Sequence, residues 1–149
     1  MGTVISTYAD RGPRLRVLAV DDDPALATLV AVLLRPDGHA VVTANSGEEA
    51  AERLANDRFD LVISDLGLGT GMTGWELAEH VRAAHAGTPF ILVTGWGAAI
   101  DPAEARARGV DALIAKPFRA AQLRAAVADI RGQMAEPVAT SISIDSIPA

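Results

Sequence analysis

Five short apolar runs recur along the chain, at Leu15–Val20, Ala40–Ala44, Leu61–Ser64, Phe90–Thr94 and Ala112–Ala115. They are mostly continuous rather than alternating, the pattern of strands buried on both faces of a parallel sheet. Helix-like segments lie between them and carry explicit start signals. Asp23-Pro24 sets an acceptor side chain before a proline at the first helical position. Ser46-Gly47-Glu48-Glu49 and Thr73-Gly74-Trp75-Glu76 read as capping boxes. Asp101-Pro102-Ala103-Glu104 combines a cap, a proline and an acidic third position. Pro36 and Gly38 stop the first helix and Gly109 the fourth. The last helix follows Pro117, with Leu123, Val127 and Ile130 as its apolar stripe. The order βαβαβαβαβα predicts an α/β fold with helices on both faces of a parallel sheet. Residues 1–14 and 133–149 fall outside that pattern.

Open parallel sheets bind ligands at the carboxyl ends of their strands, so the residues just after each run are the candidates for chemistry. They are Asp21, Asp22 and Asp23 after the first, Asp65 after the third, Thr94-Gly95 at the fourth and Lys116-Pro117 after the fifth. Three neighbouring carboxylates repel unless a cation joins them. Mg²⁺ is the usual hard ion where phosphate is also handled. Asp23 is better used as the cap before Pro24, which leaves Asp21 and Asp22 on the metal side. Lys116 is the only lysine among 13 basic residues, a compact point charge suited to a single phosphoryl oxygen.

Composition excludes several classes. At 149 residues the chain is one domain by size, 50% hydrophobic, with a net charge of −6 and no cysteine. That charge argues against non-specific binding to nucleic acid or anionic lipid. Lack of cysteine removes disulfides, thiol nucleophiles and thiolate metal sites. The longest mostly apolar run, Ala25 to Leu34, is too short to span a bilayer. No signal-peptide core is found, so a cytoplasmic location is expected. Met1-Gly2-Thr3-Val4-Ile5-Ser6 fits a myristoylation pattern, one short enough to arise by chance. Gly69, Gly71 and Gly74 spell G-x-G-x-x-G, yet the strand after them ends in Thr94-Gly95. A dinucleotide fingerprint needs a carboxylate there. The glycines are expected to let a tight loop cross the acidic site and launch the third helix. A haloacid-type phosphatase would want a second aspartate where Gly67 stands.

The stretches "LAVDDDPALATLV", "FDLVISDLGLG", "PFILVTGWG" and "DALIAKPF", in this order and spacing, resemble the receiver domains of two-component response regulators. The resemblance covers about Leu15 to Arg131 and sets a receiver domain at 15–132. Before it lies an N-terminal extension, 1–14, and after it a disordered tail, 133–149. It implies a flavodoxin-like (βα)5 fold with strand order 2-1-3-4-5. It implies that Asp65 accepts a phosphoryl group from a phosphohistidine on a sensor histidine kinase or histidine phosphotransfer protein. Asp22, Asp65 and the Gly67 carbonyl would then ligate Mg²⁺, with Asp21 acting largely through metal-bound water. Lys116 would pair with a phosphoryl oxygen, Thr94 would report the phosphoryl group's arrival, and the Lys116–Pro117 bond would be cis. Such a protein is a phosphoacceptor rather than an enzyme. It relays the phosphoryl group or switches contacts with a downstream protein.

The chain also departs from that family's pattern. Gly69 replaces a proline in a loop one residue longer than usual, and a more mobile loop is expected. Leu113 stands where the family's switch aromatic lies. Gly67 and Trp96 occupy the positions that tune phosphoryl lifetime; Trp96 could exclude water, and slow self-dephosphorylation is expected. Arg106, Arg108, Arg119 and Arg124 lie on the face that contacts targets or a second receiver in this family. The three histidines, His39, His80 and His85, read as surface residues, and Trp75 as partly exposed packing. The few residues after Arg131 leave no room for an output module, so a stand-alone receiver is expected. Ile142, Ile144 and Ile147 could alternatively add as a strand to a partner's sheet. The competing functional reading is a receiver-fold interaction module that works without phosphorylation.

Overall fold

The computed structural model describes residues 14–95 and 99–145, with side chains as far as Met134. Strands β1 (Arg16–Val20), β2 (Ala40–Ala44), β3 (Leu61–Asp65), β4 (Phe90–Thr94) and β5 (Ala112–Ala115) form one sheet. Its order is β2-β1-β3-β4-β5 and every pair is parallel. Helices α1 (Pro24–Leu34), α2 (Gly47–Asn56), α3 (Gly74–Ala84), α4 (Pro102–Ala107) and α5 (Ala120–Asp145) connect and follow the strands, with a 3₁₀ turn at Arg35–Asp37. This is the expected (βα)5 arrangement.

Strand side chains alternate between two cores. Leu18, Val62, Phe90 and Leu92 face one way and pack with Leu54, Leu77, Val81 and Ala105 from α2, α3 and α4. Val17, Leu61, Ile63, Ile91 and Val93 face the other way, with Leu34 of α1 and Leu123, Val127 and Ile130 of α5. Each such side chain taken fully out of water contributes about 1.5–3 kcal/mol. The two clusters therefore hold the helices to opposite faces. Both faces of the strands are covered, which is why the runs read as continuous rather than alternating.

The start signals act as read, with one change. Asp23 Oδ1 accepts from the Ala25 N–H at 2.9 Å and Asp101 Oδ1 from the Ala103 N–H at 3.0 Å. Thr73 and Glu76 form a reciprocal box at the start of α3. Ser46 Oγ caps the Glu49 N–H, but the Glu49 carboxylate reaches one residue further back, to the Asn45 N–H at 2.7 Å. Gly38 and Gly109 adopt φ of 87° and 99° after the first and fourth helices, a region open to glycine.

One expectation is corrected. His39 is buried, not a surface residue: it sits just before β2, and its Nδ1 accepts the Leu15 N–H at 3.1 Å, ahead of the first residue of β1. Burial, and then the charge of Arg131, hold its pKa below the usual histidine value. His80 and His85 are half-buried on and just after α3, in edge-to-face contact. Helix α5 passes Gly132 and runs to Asp145, across Pro137. The N-terminal pattern at residues 1–6 and the last isoleucine, Ile147, lie outside the described residues. No helix among the described residues is long and apolar enough to cross a membrane.

Candidate phosphoacceptor and metal site

The parallel register assembles the site. Val20 pairs with Ser64 and Asp65 with Val93, so Asp21 and Asp65 emerge side by side at the carboxyl edge. This is the switch point of the sheet, where the connections from β1 and β3 leave in opposite directions. Thr94 pairs with Ala115, and the Lys116 N–H donates to the Thr94 carbonyl at 2.9 Å, which carries the lysine back over the same edge. Thr94 is fully buried. The Lys116–Pro117 peptide is cis.

Asp21, Asp22 and Asp65 place one carboxylate oxygen each within 4.8 Å of one another. At an effective dielectric near 20, each such pair costs about 3–4 kcal/mol when both are ionised. Lys116 offsets part of this: its Nζ lies 3.2 Å from Asp65 Oδ1 and 4.0 Å from Asp21 Oδ2. Asp65 Oδ1 also accepts the Leu66 N–H at 2.9 Å, which fixes the carboxylate orientation. Asp21 is the buried member. Burial pushes its carboxyl up to about 6, with the Asp65 and Asp22 charges adding to the rise; the Asp23 N–H at 2.9 Å and Lys116 hold it down. Asp22 stands exposed on the outer side.

An all-oxygen, net-negative cluster of this size suits a hard divalent cation such as Mg²⁺, whose charge relieves the repulsion that one lysine leaves. Gly67, exposed and two residues past Asp65, has open space where a side chain would be.

The glycine-rich stretch is now explained by packing. Gly69 and Gly71 have φ of 78° and 92°, so each occupies a conformation that other residues enter at a cost. A Cβ on Gly74 would lie 2.5 Å from the Asp65 carbonyl oxygen and 2.8 Å from Leu66 Cα. The first turn of α3 therefore rests directly on the end of β3. The glycines serve close approach of helix to strand, not a dinucleotide.

An apolar cleft of about 500 Å³ opens beside the acidic edge, between α1 and the residues after β5. Leu26, Leu29 and Phe118 line it, and it reaches Asp65 and Lys116. Leu26, Leu29 and Val32 of α1 are exposed. On the opposite face of the sheet Trp75 is half-buried, and the Arg108 guanidinium stacks 4.4 Å from its ring. Arg108 Nε also pairs with Glu79 at 3.0 Å. Arg124 pairs with Asp37 at 2.7 Å, which joins α5 to the turn after α1. Leu113 is half-buried against the core. Trp96 lies outside the described residues.

Residues 17–128 match the response regulator receiver domain. The chain belongs to that family. The transcriptional regulatory protein GlrR of Escherichia coli is 37% identical over 119 residues, which is 80% of this chain and 27% of that protein. The DNA-binding response regulator MtrA of Mycolicibacterium smegmatis is 34% identical over 135 residues, 90% of this chain and 58% of that protein. The receiver thus spans between 27% and 58% of the length of these two curated relatives. Among solved structures, the chemotaxis response regulator CheY4 of Vibrio cholerae superposes with a TM-score of 0.72 at 31% identity, covering 79% of this chain and 99% of that one. The chain is therefore a phosphoacceptor signalling domain of two-component systems. The structure brings Asp21, Asp22, Asp65 and Lys116 together, with Thr94 at the adjoining strand end and Gly67 in the loop above. Sequence reading missed the part played by Glu48, whose Oε2 accepts the Met72 N–H at 2.7 Å. The two residues are 24 apart, and only the fold brings them into contact.

Proposed function

We propose that this receiver takes a phosphoryl group from a phosphohistidine of a partner protein onto Asp65, in a Mg²⁺-dependent reaction. The observation that carries the reading is the joint presence of the Asp21, Asp22 and Asp65 oxygens within 4.8 Å and of Lys116 Nζ 3.2 Å from Asp65. Asp22, Asp65 and the Gly67 carbonyl are the proposed metal ligands, with the buried Asp21 behind them. When bound, the ion supplies positive charge that neutralises phosphoryl oxygens. An Asp65 carboxylate oxygen attacks phosphorus in line, the O–P bond forms and the P–N bond to imidazole breaks. The histidine nitrogen keeps the bonding electron pair and returns to neutral imidazole. Little covalent work falls to the protein, so positioning dominates. The Leu66 N–H holds the attacking carboxylate. Lys116 leaves its pairing with Asp65 to meet a phosphoryl oxygen, a preorganised charge at the point where charge shifts. The Thr94 hydroxyl, at the end of β4, is the group that answers the new acceptor oxygens.

The exposed apolar face of α1 supports delivery by a protein. Leu26 and Leu29 border a cleft that ends at Asp65 and Lys116, a surface on which an apolar helix carrying the phosphohistidine can lie. Phosphorylation then switches contacts with a downstream protein or passes the group onward. The test is incubation with acetyl phosphate or phosphoramidate and Mg²⁺, read by intact mass. One phosphoryl adduct is expected on the wild type and none on Asp65→Asn or in chelator. A folded, Mg²⁺-binding protein that never gains the adduct would overturn the reading and favour an interaction module that works without phosphorylation.

A further inference from the structure

The β3–α3 loop is held by a residue that no part of the phosphoryl chemistry uses. Between Asp65 and Thr73 it contains three glycines, two of them at positive φ, and no proline. Such a segment has a large intrinsic freedom to lose on ordering. Its ends are tied: the Leu66 N–H donates to the Val93 carbonyl and the Gly74 N–H to the Leu66 carbonyl. Its middle is tied from outside by Glu48, the second residue of α2, through the bond from the Met72 N–H at 2.7 Å. Two absent side chains make room for this contact. A Cβ on Gly71 would lie 2.7 Å from Glu48 Oε2, and a Cβ on Gly47 would lie 2.8 Å from Met72 Cβ. The start of α2 and the loop therefore fit each other at adjacent residues on both sides. The same loop runs past the metal-side carboxylates, with the Cβ position of Gly69 only 3.5 Å from Asp22 Oδ2.

We infer that Glu48 is a positioning residue for divalent-cation binding: by holding Met72 it fixes the glycine loop, and with it the Gly67 carbonyl and the space beside Asp22. The inference rests on the reading that Asp22, Asp65 and Gly67 hold Mg²⁺. Glu48 itself is exposed and belongs to neither the ligand set nor the reacting groups.

The experiment is calorimetric Mg²⁺ titration of the metal-free chain, run on the wild type, Glu48→Ala, Glu48→Gln and Asp22→Asn, together with amide hydrogen exchange at Met72. Glu48→Ala is expected to bind Mg²⁺ three- to tenfold more weakly and to exchange the Met72 amide at least tenfold faster. Glu48→Gln keeps a carbonyl acceptor and is expected to restore most of both. Wild-type Mg²⁺ affinity in Glu48→Ala would overturn the inference. So would Glu48→Gln binding as weakly as Glu48→Ala while its Met72 amide stays protected, because the effect would then be one of charge alone. Unchanged Mg²⁺ binding in Asp22→Asn would instead remove the metal-site reading beneath it, a result distinct from either.

Discussion

The site has two halves built by different means. Asp21, Asp65, Thr94 and Lys116 sit at or just past the ends of paired strands, and their positions follow from the register of a sheet covered on both faces. The loop from Gly67 to Met72 is held instead by single hydrogen bonds, such as that from the Met72 N–H to Glu48, and by the absence of side chains at Gly47, Gly71 and Gly74. The strand half is placed by the two buried cores on either side of the sheet. The loop half depends on a few contacts, each of which one substitution can remove.

Gly74→Ala attacks the joint between the halves and has the largest expected effect. Its methyl would meet backbone at 2.5 and 2.8 Å, where no side chain can yield. A loss of about 3 kcal/mol is expected, seen as a fall in Tm of roughly 6–12 °C for a chain of this size. Lys116→Ala removes the cation of the strand half. Phosphorylation by acetyl phosphate should slow by about 100-fold, with Tm little changed; an unaltered rate would remove the lysine from the chemistry.

The pH behaviour of Asp21 separates the buried strand carboxylate from the exposed Asp22. Its folded pKa is raised to about 6, so the folded chain holds that proton more tightly than the unfolded one. In chelator, its contribution to stability is fully present below about pH 4 and is lost as pH rises through about 6. Mg²⁺ competes with the same proton, so metal affinity should weaken as pH falls through about 6, approaching tenfold per unit. Thermal melts and Mg²⁺ titrations from pH 4.5 to 7.5, on wild type and Asp21→Asn, check both signs. Both trends should shrink in the variant. The smallest effect is expected away from both halves. Arg124→Ala breaks the exposed pair with Asp37 and should leave the chemical-denaturation midpoint almost unmoved, with Mg²⁺ affinity unaltered.

The strand half was legible in the sequence because its information is local. Continuous apolar runs, caps such as Asp23 and Thr73, and polar residues at run ends each declare themselves within a few positions. The loop half was legible only in part. The glycines marked a turn, but what they make room for comes from α2 and β3. Glu48 gave no signal because its partner is 24 residues away. Glu49 was expected to cap its own helix start and reaches Asn45 instead, a choice set by how β2 enters the turn. His39 read as a surface residue because a histidine beside a glycine resembles a loop. Its role as acceptor for the Leu15 N–H depends on β1 and β2 lying side by side.

Lys116 has a practical consequence as well. An amine-selective acylating reagent meets one ε-amine in this chain, and that amine lies against Asp65 with 30% of its side chain exposed. Its labelling rate is thus a built-in reporter at the acidic edge, read from the peptide that carries Lys116 so that it is kept apart from the chain's α-amine. Anything that changes what surrounds that nitrogen, whether cation, phosphoryl group or docked partner, is registered at one known atom.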